Sequence, residues 1–270
     1  MWHMPYGFNE FGFLCSSIGG SVASIRADNE AWFRFAEDTN AALMRVVVTA
    51  RETPVARGIN WSKEAVAVRL LMRSCGSLQG VMLMAKRGMI VQARMLIRAI
   101  IEDCFYAGAL TTKPDKVIAM MRDGAEASRL AQAKFIVDQQ LGDSAEDRKR
   151  LEQAMDEMDK QASFLRPRKV AALSPMLPQY LNYMRLSEDS AHTSASSLNK
   201  HVDSNADGSG WGYKIGPAQQ GEIESTLHRA MLAVLPVGVV VNQFMPDPVN
   251  NAALKALGNR LQALPTGTTI

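Results

Sequence analysis

Between positions 180 and 201 the chain reads YLNYMRLSEDSAHTSASSLNKH, and within it a guanidinium and an imidazole, Arg185 and His192, stand seven residues apart. In a continuous helix, seven residues bring a side chain back to within about 20° of its starting azimuth. An arginine grips phosphate oxygens as a fork, and a histidine moves protons near neutral pH. One helix face carrying both can bind and cleave a phosphodiester. Glu188 falls between them on that face and Ser196 one turn beyond, which adds a carboxylate and a hydroxyl to the row. Ser187, Ser190, Thr193 and Ser194 crowd around. Such residues stabilise an exposed helix poorly, and their small side chains leave room for a ligand or a second chain. The alternative is a solvated face on which Arg185 and Glu188 merely pair.

A second row lies upstream, in GMIVQARMLIRAIIEDCFYAGAL, where Arg94, Arg98 and Glu102 follow one another at four-residue steps among Met, Leu, Ile and Phe. Three charges on one stripe of an otherwise apolar helix are costly to bury unless paired, and Arg98 with Glu102 is the natural pair. Arg69 and Arg73 are also four apart on the preceding helix. Were these helices to face the 180–201 segment, the protein would have a positively charged interior cleft; the alternative is a core ion pair that ties helices together.

Other groupings carry less chemistry. Glu224 and His228 share a helix face, but a helical di-metal site needs further Glu-x-x-His elements and none is present, so no metal or other cofactor is expected. The glycine-rich GSGWGYKIG lacks the Gly-Lys-Ser/Thr ending of a phosphate loop and reads as a mobile connection, with Trp211 and Tyr213 able to stack on a base. RPRK at 166–169 reads as a surface turn able to touch a phosphate backbone.

The elements that must position these residues are helical throughout. Asp28 offers an N-cap to a helix reaching about Thr49, and Ser62 caps another that runs to Lys86. Gly88 ends that helix, and the next begins at once, so the two form an antiparallel hairpin, with Gly76 and Gly80 allowing close approach. Pro114 opens a helix and Gly142 closes it; Ser144 starts a charged one to about Ala162. A linker with Pro167, Pro175 and Pro178 leads to the 180–201 helix, and a long apolar helix from Pro217 through Val241 carries a kink at Pro236. A short helix from about Asn250 to Leu261 follows. With no alternating strand pattern, the expectation is an all-α multi-helix bundle of about seven or eight helices: an irregular arm at 1–27, a single domain at 28–262 and a polar tail at 263–270.

Composition agrees and narrows the function. Sixteen methionines in 270 residues favour a helical core, and a net charge of +3 permits nucleic acid without the excess a DNA coat protein would need. Three cysteines with no CxxC spacing exclude a disulfide framework and a thiolate metal site, which fits a reducing cytoplasm. No secretory signal is evident, and the most apolar run, MLAVLPVGVVV, is too short to span a bilayer, so no membrane association is expected.

On two stretches the chain resembles a bacterial family of helical proteins of unknown function: GMIVQARMLIRAIIE, with its Leu-x-Arg-x-x-x-Glu core, and YMRLSEDSAHTS, with its Tyr, Leu-Ser and His-x-Ser. That family is in turn similar to the HEPN superfamily of helical bundles, whose ribonucleases carry an Arg, four to six residues, then a His; Arg185 and His192 enclose six. Leu186 stands where many of them place a polar residue. The resemblance implies a metal-independent endoribonuclease acting as a homodimer on RNA, as a toxin or antiviral defence effector with a possible regulatory protein partner. His192 would then act as acid or base, Arg185 would stabilise the transition state, and Arg73, Arg94, Arg98, Glu102, Glu188 and Ser196 would support them. The competing expectation is a non-catalytic helical sensor or interaction module that binds a nucleotide, a small ligand or a protein in the same cleft.

Overall fold

A computed structural model describes residues 11–15, 19–52, 60–141, 144–191, 193–204, 209–214, 216–218 and 220–264. Among these the architecture is an all-α multi-helix bundle of eleven α-helices, several of them short, and one two-stranded hairpin. The centre is the antiparallel pair α3 (Lys63–Lys86) and α4 (Ile90–Thr112), with α10 (Gln220–Phe244) laid against both. The helix α2 (Glu30–Glu52) covers α3 and α10, and α11 (Pro248–Ala263) closes the α2–α10 side. On the other side of α4 pack α5 (Pro114–Asp138), α7 (Pro167–Ala171) and α8 (Tyr180–Leu186), while α6 (Ala145–Glu157) rests on α5.

Local signals account for much of this. Ser62 Oγ accepts from the Ala65 amide and Ser144 Oγ from the Asp147 amide, each satisfying an orphan donor of a first turn. Pro114 sits at the first position of α5, where its missing N–H costs nothing. Gly80 lies where an added Cβ would stand 2.7 Å from the Leu96 Cδ1, so α4 presses a leucine tip against α3 there, whereas Gly76 faces open space. Gly88 adopts φ +74°, and a Cβ there would stand 2.3 Å from the Pro217 Cβ. Its carbonyl accepts from the Ala218 amide at 3.1 Å, which pins the α3–α4 turn to the chain entering α10.

The helix α10 is apolar on nearly every side, and Leu227, Ala230, Met231, Ala233, Val234, Val237 and Val241 are fully buried. The stretch Gly221–Phe244 is long and apolar enough to cross a bilayer, yet in the bundle it is the central core element. Pro236 lies within it and removes a backbone hydrogen bond, at a cost of about 3 kcal/mol that the surrounding burial offsets.

Several expectations are corrected. The last part of the 1–27 arm is helical, as α1 (Gly19–Asp28), so Asp28 ends a helix instead of capping one. Within the proline linker, Arg166 precedes Pro167 at the start of α7, so RPRK opens a short helix. The glycine-rich segment contributes a strand: β1 (Val202–Ser204) pairs antiparallel with β2 (Trp211–Tyr213). The largest difference concerns residues 180–201. They form no single helix but α8, a π-helical segment (Ser187–Ala191) and, further on, α9 (Ala195–Asn199).

Candidate functional site

The break after Leu186 changes which side chains meet. In the π segment Ser187 Oγ donates to the Tyr183 carbonyl and Ser190 Oγ to the Leu186 carbonyl, both at 2.8 Å. Side-chain bonds of this kind compete with the regular ladder and bend it. Ser194 then caps α9 in a reciprocal box with Ser197, and its Oγ donates to the Glu188 carbonyl at 2.7 Å. The serines that a continuous helix would have left lining a ligand space thus turn the chain. Ser196 Oγ does reach Glu188 Oε1, at 2.9 Å, through the fold of the turn and not along a helix face. The regular α period used to relate Arg185 and His192 thus gives way at Leu186 to π winding as far as Ala191, and His192 lies outside the described residues. Arg185 is exposed.

What the fold does bring together are the two charged stretches. Arg98, half-buried on α4, donates Nε to Ser187 Oγ at 2.7 Å and Nη2 to the Tyr183 hydroxyl at 2.6 Å. Its guanidinium carbon stands 4.7 Å from the Tyr183 ring centre. Tyr183 itself packs against Phe105 and stacks on Tyr180. Among the described residues no ion pair joins Arg98 to Glu102, which corrects the pairing expected from their spacing: the tyrosine and serine delivered by α8 and the π segment satisfy the arginine instead. Burial, and then the Glu102 charge, raise the Tyr183 phenol above its ordinary value and keep it a hydrogen-bonding hydroxyl.

One turn toward the start of α4, Arg94 is only 7% exposed. Its Nε donates to Thr226 Oγ1 of α10 at 3.3 Å. Burial holds its pKa below the usual guanidinium value, against the opposing charges of Glu222 and Asp189. Arg229, three residues after Thr226, is lowered by burial first and then by Arg94, with Arg185 adding to the effect and Asp189 opposing it. Guanidiniums from α4 and α8 thus act on that of α10 across a partly buried space in which Glu222 and Asp189 are nearby carboxylates. Asp189 also faces Lys200 at 3.8 Å.

The remaining predicted residues lie elsewhere on the frame. Arg73 pairs with Asp103 at 2.7 Å, and Ser74 Oγ donates to the other carboxylate oxygen at 3.0 Å. Arg69 bonds to the backbone carbonyls of Ala65 and Asn60 and covers Trp61, outside the guanidinium group. His228 packs its ring 5.4 Å from Trp32 and lines an apolar cavity of about 560 Å³ between α10 and α11, where burial lowers its pKa. Among the described residues no three metal-ligating side chains converge. Cys15, Cys75 and Cys104 are buried and in no disulfide, and burial pushes the Cys75 and Cys104 thiols up to about 11 and about 12, leaving those two inert.

Sequence reasoning missed Arg229, Thr226 and Asp189 as members of the site. Thr226 and Arg229, three apart on a helix that is otherwise core, carried the available signal: two polar groups on one face of an apolar segment.

Fold and site together define a helical bundle with a cationic polar patch where its central hairpin helix meets a π-helical break. The sequence matches the family of unknown function DUF5677 over residues 64–209, more than half of its length, and the chain belongs to that family. The matched region contains both motif stretches, Gly88 to Glu102 and Tyr183 to Ser194. Comparison with curated proteins and with solved structures yields no match.

Proposed function

We propose that the protein binds RNA at the guanidinium group of Arg94, Arg185 and Arg229 and cleaves it without metal, as the HEPN resemblance implies. The observation that carries the reading is a gathering of cations in a partly buried space, where Arg94, which is buried, and Arg185 both act against the charge of Arg229 and a phosphodiester would relieve the repulsion. Arg98 serves as a positioning residue: anchored on Tyr183 and Ser187, it fixes the π segment whose end leads into His192. In the reaction His192 takes the proton of a ribose 2′-hydroxyl while the 2′-oxygen attacks phosphorus. The bond to the 5′-oxygen breaks, that oxygen takes up a proton, and the products are a 2′,3′-cyclic phosphate and a 5′-hydroxyl. The guanidiniums stabilise the charge that builds on the phosphoryl oxygens.

A homodimer fits the same surface. Leu177, Leu181 and Met184 are exposed at 48%, 54% and 51%, and their spacing of four and three places them on one side of α8 and the turn before it. A second copy covering this stripe would bring two π segments toward each other.

A non-catalytic RNA- or nucleotide-binding module is the second reading, favoured by one observation: Arg185, the expected transition-state residue, is exposed. The same experiment separates the two. Purified protein is incubated with RNA in EDTA, and His192→Ala is compared with wild type for cutting and for binding by filter retention. Loss of cutting with binding retained supports the nuclease; cutting that survives the substitution refutes the role of His192. Binding without any cutting by wild type leaves the module.

A further inference from the structure

We infer that the β1–β2 hairpin and the first turn of α4 form a subsite for a single-stranded RNA nucleotide flanking the scissile one, with its phosphate in the cavity beneath the hairpin and its base on Trp211. The inference rests on the RNA reading above and adds a surface that this reading does not use.

The cavity holds about 280 Å³ and lies where the start of α4 meets the base of the hairpin, with Arg94, Lys200, His201, Lys214 and Glu222 among its walls. That is small for a drug-sized ligand, for which pockets run from roughly 300 Å³ upward, and suits a phosphate with its sugar. Val91 and Gln92 of the first turn of α4 line it, and no side chain caps that turn, so the positive end of a 23-residue helix faces the space. Arg94 supplies the independent observation. It is 7% exposed, lines the cavity, and among the described residues hydrogen-bonds only through Nε, to Thr226. Its two terminal nitrogens have no such partner and are not sealed from the cavity, so their donors remain for an anionic group placed there.

The hairpin sets the other cations. The Lys214 amide donates to the His201 carbonyl at 2.8 Å, closing the strand pair so that both residues stand at its base beside Lys200. Lys214 faces Glu222 and Lys200 faces Asp189, each at 3.8 Å, beyond hydrogen-bond reach, so either lysine can exchange its carboxylate for a phosphate oxygen. Trp211 and Tyr213 alternate with Gly212 and so share one face of β2, 62% and 67% exposed, with ring centres 5.2 Å apart and edge to face. Neither ring lines the cavity, but Lys214, which does, directly follows Tyr213, and exposed aromatic rings close in the chain to phosphate-binding cations are a means by which proteins hold single strands. Arg94 belongs both to this cavity and to the guanidinium group, so the two sites adjoin, which favours a strand over a lone mononucleotide.

Fluorescence anisotropy of a labelled dodecauridylate titrated with the full chain tests the subsite. Trp211→Ala and the double variant Lys200→Gln/Lys214→Gln are each expected to weaken binding about tenfold, and the double variant lowers the salt dependence of affinity by about two charges. Trp211→Phe restores most of the loss. Circular dichroism melts at the wild-type temperature exclude unfolding as the cause. If wild type binds and cuts the strand while both variants bind as wild type does, the subsite is wrong and the RNA reading stands. If wild type binds no strand, both fall. Uridine monophosphate that raises the melting temperature of wild type but not of the lysine variant, without strand binding, overturns the strand assignment in favour of a free nucleotide.

Discussion

The helix α4 handles buried charge in two opposite ways. On the side facing α3, Asp103 is completely buried with a partner on each carboxylate oxygen, Arg73 on one and Ser74 on the other. On the side facing α8 and α10, Arg94 is almost as deep, with one neutral hydroxyl as its hydrogen-bond partner and, among the described residues, no ion pair, although the charges of Glu222 and Asp189 act on it. A matched carboxylate of the first kind ties helices together, which was one of the two readings open for the arginine stripe; it applies to Asp103 and not to Arg94. A buried cation with no carboxylate in direct contact contributes little to the fold and keeps donors for an anion from outside the protein. The difference separates structure from function within a few turns of one helix.

The largest effect expected from breaking the comparison is at Arg94. Replacement by methionine removes a charge that the fold disfavours and keeps the volume, so the urea midpoint should stay unchanged or rise. RNA cleavage should fall at least about a hundredfold, the usual cost of deleting a donor that stabilises developing charge. A parallel fall in both stability and cleavage would make Arg94 a packing residue and remove the contrast with Asp103.

Asp103 is expected to show the opposite pattern, read through pH. Burial, the largest influence, raises its carboxyl to about 6, against the ordinary 3.8. The folded protein then binds more protons than the unfolded chain between those values, so the contribution of this group to stability is full below pH 3.8 and is lost as pH rises through about 6. The loss amounts to roughly 3 kcal/mol, at 1.36 kcal/mol per unit. Asp103→Asn keeps the shape and the Ser74 contact and should flatten this part of the stability profile without changing cleavage at neutral pH. Denaturation midpoints at half-unit pH intervals check it; an unchanged slope would show that Arg73 already neutralises the cost.

Much of this was legible before the fold was known. The hairpin of α3 and α4 follows from the cap at Ser62, the stop at Gly88 and the period between them, and the buried part of α10 from its uncharged run MLAVLPVGVVV. The polar stripe on α4 was legible too, because charges stand out in an apolar helix. Its partners were not. Arg98 prefers Tyr183 and Ser187 to Glu102 through a contact across 85 residues or more, which no local spacing encodes. The break at Ser187–Ala191 escaped for a related reason: its serines bond backwards to backbone carbonyls, and a helical period read from side-chain types alone counts them as one more polar face. Arg185 and His192 were placed by that period, and the period ends at Leu186.

The smallest effect sharpens the boundary between the two regimes. Tyr183 joins the apolar core through Phe105 and the charged site through its hydroxyl on Arg98. Tyr183→Phe keeps the ring and its cation contact, and removes one hydrogen bond to a charged group that is only half-buried. A loss of about 1 kcal/mol is expected, seen as a modest shift in the urea midpoint. If Arg98 is a positioning residue, its guanidinium stays on the ring and on Ser187, so cleavage should drop several-fold in rate with little change in RNA affinity. A loss of affinity equal to the loss of rate would mean that Arg98 itself touches the phosphate, and the boundary of the site would move one turn along α4 to include it.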